Sequence, residues 1–410
     1  MEKHKGLWNK NFILLIIGSL VSRLGTVIYN FALAWWLLER TGTAKYTGYV
    51  MAASFIPAAL IGPMSGVLVD RLNRKYVLVW TDIIAGITST TVGMFLHFDI
   101  LNLPLIVVAG FIIGCCYSLF RPASKSIISL VLDKEFLIKG NSIMTNIIET
   151  TRVVGPMIGA ILLSVPFIGA KGIFIINGIS YFISAFSEVF IEYQHQGFIN
   201  NYSNFKENFF DGFRYTFQHV NIRNTIILCS ITNFFLTALN LLMPLYVMKV
   251  LNKSSTFYSI TLTFEAVGGI FITIIMLFLP KFKPKMNYMI YSLMFTGSAL
   301  LVISIYPSEL LALSSVFFIG VFLGIFNTLF SSYIQVSVQK EYMGRVFSIL
   351  FMISTLVMPL ANIFFGQIGN IVISSVFLYA GLGIFISSTV VLILSNKTIG
   401  KTIYKDKIEF

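Results

Sequence analysis

The sequence predicts an all-α membrane protein in which twelve transmembrane helices form two pseudo-symmetric six-helix bundles. Composition is the first reason. Of the 410 residues, 56% are hydrophobic and only 11% are charged, whereas a soluble domain carries roughly 25% charged residues. The second reason is that apolar stretches long enough to cross a bilayer recur along the chain. The third is a weak repeat that relates the two halves.

The predicted spans come from the length of the apolar stretches. A helix crosses the roughly 30 Å hydrocarbon layer with about 20 apolar residues. The first stretch is far longer than the apolar core of a signal peptide, and no small-residue cleavage site ends it, so we expect it to be a span. The twelve predicted spans are 11–38, 46–69, 76–97, 101–121, 140–165, 171–191, 224–247, 256–280, 286–306, 309–337, 344–368 and 371–395.

Positive charge predicts the orientation in the plasma membrane. With both termini in the cytoplasm, 22 of the 29 Lys and Arg residues fall on the inner side and five on the outer side, as the positive-inside rule requires. This asymmetry also accounts for the formal charge of +12, so no nucleic-acid partner is expected. All three cysteines lie within apolar runs, so neither a disulfide framework nor a metal site is expected.

The longest polar interval between spans divides the chain into three parts. We predict an N-terminal bundle over 1–192, a cytoplasmic linker over 193–223, and a C-terminal bundle with a short basic tail over 224–410. Within the linker, phenylalanine recurs every fourth residue from Phe205 to Phe217. That spacing predicts an amphipathic helix lying along the cytoplasmic interface.

Corresponding positions in the two halves carry similar residues. The triplet Lys134-Glu135-Phe136 precedes the fifth span, and Lys340-Glu341-Tyr342 precedes the eleventh. A proline follows in each of those spans, Pro156 in one and Pro359 in the other. The matches indicate two homologous halves, which is typical of transporters built from parallel repeats.

The loop after the second span carries a recognisable motif. Residues 66–75 read Gly-Val-Leu-Val-Asp-Arg-Leu-Asn-Arg-Lys, which resembles the cytoplasmic signature G-x-L-a-D-r-x-G-R-K of the major facilitator superfamily. The resemblance implies that Gly66 lets two helices approach closely and that Asp70 faces the positive end of a neighbouring helix. It also implies ion pairs across the inner mouth from Arg71, Arg74 and Lys75.

One position of this motif departs from the family pattern. Asn73 stands where the family has glycine, and because Asn tolerates a left-handed backbone better than most residues, we expect the turn to be retained. Asp82 and Glu188 lie near cytoplasmic helix ends. We expect them to belong to the ion-pair network around Asp70 and Arg74 rather than to the transport chemistry.

The fifth span contains Gly155, Pro156 and Gly159, followed by Ala160. This segment is similar to the antiporter motif G-x-x-x-G-P-x-x-G-G of drug-exporting facilitators. Thr151 and Ala160 replace two of its glycines, but both are small, so close packing and a proline kink are expected to persist. The motif favours export over uptake.

A narrower resemblance covers most of the chain. The segments 120–123, 146–159 and 340–348, the last including Gly344 and Arg345, resemble one branch of the superfamily, which contains the macrolide efflux proteins and the enterobactin exporter. This resemblance implies a proton-driven exporter of bulky, largely apolar small molecules. It also implies no cofactor, with the proton gradient as the energy source. We expect a monomer.

Four ionisable residues lie deep within predicted spans, where a charge is costly and usually faces a cavity or a partner. Arg23 is in the first span, Glu149 and Arg152 are in the fifth, and Glu265 is in the eighth. Glu149 and Arg152 share a helix face and can neutralise each other.

Two interpretations of these charges are open. In one, Glu149 or Glu265 carries the proton, because a desolvated carboxylate can load and release protons near neutral pH. Arg152 or Arg23 then holds the deprotonated acid or contacts a polar group of the substrate. In the other, Glu149 and Arg152 form a permanent structural ion pair. The sequence shows no partner for Glu265.

Polar and aromatic residues within the spans complete the predicted site. Trp35 and Trp36 near the end of the first span suit the outer aromatic belt. Several asparagines lie at depths suited to lining a central cavity, although each is equally suited to a hydrogen bond between helices. These are Asn30, Asn233, Asn240 and Asn327.

Together, these features predict proton-coupled efflux of a bulky amphipathic compound, a macrolide-like drug or multiple drugs, by alternating access around a central cavity. The alternatives are export of a self-made metabolite such as a siderophore, and proton-coupled uptake. A membrane-embedded enzyme acting on lipids is not favoured, because the sequence shows no nucleophile triad or metal-binding cluster at a membrane face.

Overall fold

The structure is a computed structural model of the chain. It describes residues 6–98, 103–192, 205–278, 284–339, 342–371, 373 and 375–406. Within these ranges the side chains of residues 63, 66, 67, 70, 205–209, 277 and 394–406 are outside the description.

The described residues form thirteen α-helices, one short 3-10 helix (Lys134–Phe136) and no strand. Eleven of the helices are long and apolar enough to cross a membrane. The 27-residue helix α2 completes the predicted set of twelve, and α7 is the predicted linker helix. The helices are α1 Lys10–Thr41, α2 Lys45–Arg71, α3 Arg74–His97, α4 Leu103–Val131, α5 Leu137–Ser164, α6 Gly169–Val189, α7 Phe205–Gln218, α8 Val220–Lys249, α9 Ser255–Phe278, α10 Met286–Ile305, α11 Glu309–Ser337, α12 Met343–Ile368 and α13 Val376–Asp406.

The helices pack as two six-helix bundles with equivalent contacts, which confirms the predicted fold class. In the first bundle α3 packs on α6, α2 on α4 and α1 on α5. The second bundle repeats each contact seven helices later, with α10 on α13, α9 on α11 and α8 on α12. The bundles meet where α2 contacts α12 and where α5 contacts α9, and these two contacts are also equivalent.

Local signals in the sequence determine where α1 begins and ends. Asn9 caps its first turn, because the side-chain oxygen accepts a hydrogen bond from the backbone N–H of Phe12 at 3.0 Å. The Asn9 amide also donates to the carbonyl of Val131 at 2.8 Å, which fastens this turn to α4. Gly42 ends the helix with a φ of 66°, a left-handed conformation that glycine adopts without strain.

Two predicted boundaries were wrong at the inner end. Helix α4 continues ten residues beyond the predicted end at 121 and contains Pro122. It continues because Ala123 and Ile127 are fully buried against α1 and α3, and this packing outweighs the lost hydrogen bond. Helix α13 likewise continues to Asp406 rather than ending at 395.

The bundles close on each other at one end, which holds the turn between α1 and α2. We call this the outer end, following the predicted orientation. There the ring of Tyr258 stacks on Phe31 with 5.2 Å between centroids. Lys249 Nζ donates to the carbonyl of Gly42 at 2.7 Å. Gly48 of α2 lies directly against the backbone of Asn362 on α12.

Ile138 and Ile148 on the inner half of α5 are exposed. The cross-bundle contacts described above all lie in the outer halves. The molecule is therefore closed at its outer end.

Candidate functional site

The two bundles are joined by an ion pair between α5 and α9. Arg152 Nη2 donates to Glu265 Oε1 at 3.0 Å. The Arg152 side chain is 55% exposed, whereas that of Glu265 is 12% exposed. One turn away, the hydroxyl of Thr263 donates to the carbonyl of Val153 at 3.3 Å. The acid that had no evident partner in the sequence thus pairs with a base from the opposite bundle.

This contact corrects the interpretation of Arg152 as a permanent partner of Glu149. Both residues lie on α5, as predicted, but the guanidinium contacts Glu265 of α9 instead. Within the described residues Glu149 has no ion pair. The reason is that α9 brings a largely desolvated carboxylate to Arg152, and a desolvated carboxylate binds a cation more strongly than a partly solvated one on the same helix.

A narrow recess with room for about one water molecule opens beside the ion pair. It combines apolar walls with three polar groups. The residues lining it are Leu239, Asn240, Met243, Thr261, Leu262, Glu265 and Val316. Of the four asparagines proposed to line a cavity, Asn240 is therefore placed next to Glu265.

The other three asparagines are distributed along the bundles. Asn30 on α1 and Asn327 on α11 are exposed. Asn233 on α8 donates to the carbonyl of Ser354 on α12 at 3.2 Å, so the second interpretation, a hydrogen bond between helices, describes its position.

Arg23 contacts a phenol rather than an acid. Its Nη1 donates to the hydroxyl of Tyr117 on α4 at 3.4 Å. Its Nε is buried and has no hydrogen-bond partner within the described chain. The sequence indicated the depth of Arg23 but not this partner, because Tyr117 lies on a different helix.

Aromatic side chains fill the contact between the two bundles at the outer end, and the sequence did not predict this role for them. Trp35 is buried and stacks on Tyr258 at 6.1 Å, so its assignment to a lipid-facing belt was wrong. It lies on the face of α1 that is covered by the opposite bundle. Tyr258 itself, which contacts both Phe31 and Trp35, gave no signal in the sequence beyond its aromatic character.

The antiporter-like motif brings α5 close to α1. A side chain at Gly155 would collide with Val27, and one at Gly159 would collide with Phe31. Pro156 lies buried within α5 between them. The predicted close packing is present, and it places α1 directly behind the segment that carries Arg152.

The loop between α2 and α3 is built differently from the expectation for Asn73. Asn73 has φ −70° and ψ 111°, so it is extended rather than left-handed. Its side-chain oxygen accepts a hydrogen bond from the N–H of Lys75 at 3.1 Å and thereby caps α3. Arg71 ends α2 and Arg74 begins α3. The side chains of Gly66 and Asp70 lie outside the described residues.

Arg345 and Asp82 occupy places that the motif did not predict. Arg345 lies against the linker helix, 3.9 Å from Asp211, while its neighbour Gly344 has open space around it. Asp82 is buried within the N-terminal bundle beside Glu188. Both acids lie between α3 and α6, and because the side chain of Asp70 is outside the described residues, their place in the network around Asp70 and Arg74 stays a prediction.

Comparison with known proteins identifies relatives of the whole chain. Macrolide efflux protein A of Streptococcus pyogenes is 24% identical over 377 residues, covering 88% of this chain and 90% of that protein. Staphyloferrin A transporter of Staphylococcus aureus (strain NCTC 8325 / PS 47) is 24% identical over 333 residues, covering 80% and 82%.

Solved structures share the fold at low sequence identity. The nucleoside transporter NupG superposes with a TM-score of 0.73 at 14% identity, covering 95% of this chain and 98% of that one. A bacterial homolog of the human lysosomal transporter Spinster gives a TM-score of 0.75 at 13% identity, covering 94% and 95%. A family model described as Major Facilitator Superfamily matches residues 15–362. The chain therefore belongs to the Major Facilitator Superfamily, a family of membrane transporters and not of enzymes.

Proposed function

We propose that this protein exports a bulky amphipathic compound, a macrolide-like drug or several drugs, in exchange for protons by alternating access. The observation that carries the proposal is the ion pair between Arg152 and Glu265. It places an acid and a base from opposite bundles beside a recess. The similarity to macrolide efflux protein A over most of both chains supports the choice of cargo.

The pair couples protonation to closure of the outer end. As a carboxylate, Glu265 binds Arg152 and holds α5 against α9. A proton on Glu265 removes its charge and the ionic part of this contact. Because Glu265 also lines the recess, a polar group of the substrate that reaches it competes with Arg152 for the same carboxylate.

These properties are sufficient for an exchange cycle. The conformation closed at the outer end has released its proton to the inside and holds the pair. A polar group of the substrate that reaches Glu265 displaces Arg152, the outer end opens, and the substrate leaves. A proton then takes its place on Glu265 and allows the empty carrier to return. Substrate and proton thus use one acid in turn, which is the minimum that antiport requires.

The character of the recess supports an amphipathic substrate. Four of its seven lining residues are apolar, and they include the flexible Met243, which adapts to differently shaped ligands. Asn240 and Thr261 add hydrogen-bonding groups next to Glu265. An apolar pocket with a few placed polar groups is typical of sites for small organic molecules.

A second candidate keeps the same mechanism and changes the cargo to a self-made metabolite such as a siderophore. The relative named as a staphyloferrin A transporter, similar over 80% of this chain, supports it. Proton-coupled uptake is a third candidate, and the packing of Gly155 and Gly159 in the antiporter-like motif favours export over it. In each case we propose a monomer in the plasma membrane with both termini in the cytoplasm.

An efflux assay in a drug-sensitive bacterium that lacks its own pumps tests this proposal. Cells expressing the chain are loaded with dyes, macrolides or siderophores, with and without a proton uncoupler. We expect lower accumulation of at least one compound, abolished by the uncoupler. Unchanged accumulation of every compound would contradict the efflux proposal.

Two matched variants test the role of the ion pair in the same cells. Glu265→Gln should reduce efflux on the order of tenfold or more, the usual size of a coupling between two sites. Glu309→Gln removes a carboxylate that pairs with Lys253 at 2.6 Å, but within the C-terminal bundle, and should leave efflux intact. Equal activity of both variants would contradict a coupling role for Glu265.

A further inference from the structure

The N-terminal bundle encloses two acids that the export mechanism does not use. Asp82 on α3 is 3% exposed and Glu188 on α6 is 0% exposed. Oδ2 of Asp82 and both carboxyl oxygens of Glu188 are buried without a hydrogen-bond partner in the described chain. The two carboxyl groups interact electrostatically with each other.

Among the residues that the structure describes, none supplies a positive charge that acts on either acid. The hydroxyl of Ser184 faces both carboxyl groups without regular hydrogen-bond geometry to either. Cys116 of α4 and Tyr181 of α6 also interact electrostatically with Asp82. Within the described chain, no Lys, Arg or His of the helices packed around the pair forms a salt bridge with either acid.

Tight packing keeps water away from this pair. Gly18 of α1 lies so close to α6 that a side chain there would collide with the hydroxyls of Ser187 and Ser184. On α6, Ser184 is fully buried. The acids are therefore enclosed by α1, α3, α4 and α6.

Two ionised carboxylates in such an enclosed place would be strongly destabilising. An isolated ionised carboxylate loses many kcal/mol of solvation on burial, and a second one nearby adds repulsion, so such groups neutralise instead. We propose that Asp82 and Glu188 form a proton-binding site inside the N-terminal bundle, holding at least one proton in the conformation closed at the outer end. The two acids titrate as a unit.

A proton fits this place better than a metal ion. Two carboxyl groups and one serine hydroxyl are fewer than the roughly six oxygen ligands that calcium or magnesium requires. Cys116 and Tyr181, which interact electrostatically with Asp82, are not ligands that such ions prefer.

The position of the site has a consequence that rests on the proposed export function. Helix α1 contacts the pair's surroundings through Gly18, and it contacts α5 through Val27 and Phe31. A change of charge at Asp82 and Glu188 can therefore shift α1, the helix that packs against the segment of α5 carrying Arg152. The exporter then has a proton site in addition to Glu265.

Infrared spectroscopy of the purified full-length protein in an alkyl maltoside detergent, which has no carbonyl group of its own, tests the proton site without any substrate. At pH 7 the wild type should show the carbonyl stretch of a neutral carboxylic acid. The double variant Asp82→Asn with Glu188→Gln should lose this band. The control Glu192→Gln, which removes a carboxylate that is 81% exposed, should keep it. Loss of carboxylate bands instead, in the double variant, would overturn the proposal.

The dependence of thermal stability on pH gives a second test with the same proteins. If the folded protein keeps a proton that the unfolded chain releases, its stability falls as the pH rises above the ordinary range of carboxylic acids. The double variant should show a flatter curve than the wild type, and parallel curves would contradict the proposal. Added calcium or sodium provides one more outcome. If either ion stabilises the wild type but not the double variant, the site binds a metal ion and the proposal of a proton site is overturned.

Neither experiment depends on transport. A failed efflux assay with an intact infrared band would remove the export function and leave the proton site. An active exporter that lacks the infrared band would remove the proton site and leave the export function.

Discussion

Arg152 of α5 and Glu265 of α9 share a hydrogen-bonded ion pair, 3.0 Å long, across the interface of the two bundles. Glu265 is largely desolvated, whereas Arg152 is more than half exposed, so protein encloses the pair on one side only. The attraction is therefore stronger than in a fully exposed ion pair but weaker than in a fully buried one. The contact is therefore suited to being broken and remade in every transport cycle, as a permanent buried ion pair would not be.

Reversing one charge should open the outer end, and exchanging both should close it again. Arg152→Glu places two acids together and should separate the bundles, whereas Arg152→Glu combined with Glu265→Arg restores the attraction. Spin labels are attached at Thr43 and Ser254, one on each bundle at the outer end, after the three native cysteines have been replaced. Pulsed electron paramagnetic resonance then measures the distance between the labels. If the double exchange stays as open as the single variant, the pair does not control closure.

Glu149 on α5 is an acid without an ion pair in the described chain, and it serves as the comparison for the paired Glu265 on α9. Because it forms no ion pair within the described part of the chain, Glu149→Gln should keep efflux within about twofold of the wild type, since surface substitutions away from special contacts have small effects. Efflux of this variant is compared with that of Glu265→Gln at equal expression. A large loss at Glu149 and none at Glu265 would reverse the assignment of the proton carrier.

The sequence carried enough information for the spans and the bundles, because the signals for them are local. Hydrophobic length determines a span, and the spacing of Phe205 to Phe217 indicated the helix found at Phe205–Gln218. The end of α4 was missed because Pro122 is a local signal to stop, whereas the burial of Ile127 depends on neighbours distant in the chain.

The site was less predictable for the same reason. The spacing of Glu149 and Arg152 is a local pattern, but the partner of Arg152 is 113 residues away, where only the packing of two bundles brings it close. The burial of Asp82 beside Glu188 likewise depends on how α3 lies on α6. Depth in the membrane could be predicted for each charge, but not which helix it faces.

The linker helix is held to the C-terminal bundle by an aromatic stack. The rings of Tyr215 on α7 and Tyr342 are 4.3 Å apart and nearly parallel, and the Tyr215 hydroxyl accepts a hydrogen bond from the N–H of Gln339 at 3.3 Å. Tyr215→Ala should lower stability by about 1 kcal/mol or more, the usual value of an aromatic pair. Tyr215→Phe keeps the stack and should retain most of that stability. Thermal unfolding in detergent measures both, and equal losses would assign the effect to the hydroxyl instead.

A single methyl group should prevent the outer end from closing. Gly48 on α2 lies against the backbone of Asn362 on α12, and its Cα is also close to Gly366. Gly48→Ala forces these helices apart, and overpacking of this kind costs about 1–3 kcal/mol, which shifts a two-state equilibrium by roughly 5- to 150-fold. We expect a population open at the outer end, and weaker efflux because return to the closed state is hindered.

Gly62→Ala is the matched control for this variant. It makes the same substitution in the same helix, at a position where an added methyl group meets no protein atom within 4 Å. Both variants gain the same intrinsic preference for helix, so a difference between them reports only the contact with α12. The spin-label distance between Thr43 and Ser254 should lengthen for Gly48→Ala alone. Identical distances in the two variants would show that α2 and α12 tolerate the methyl group, and that the glycine contact does not determine closure.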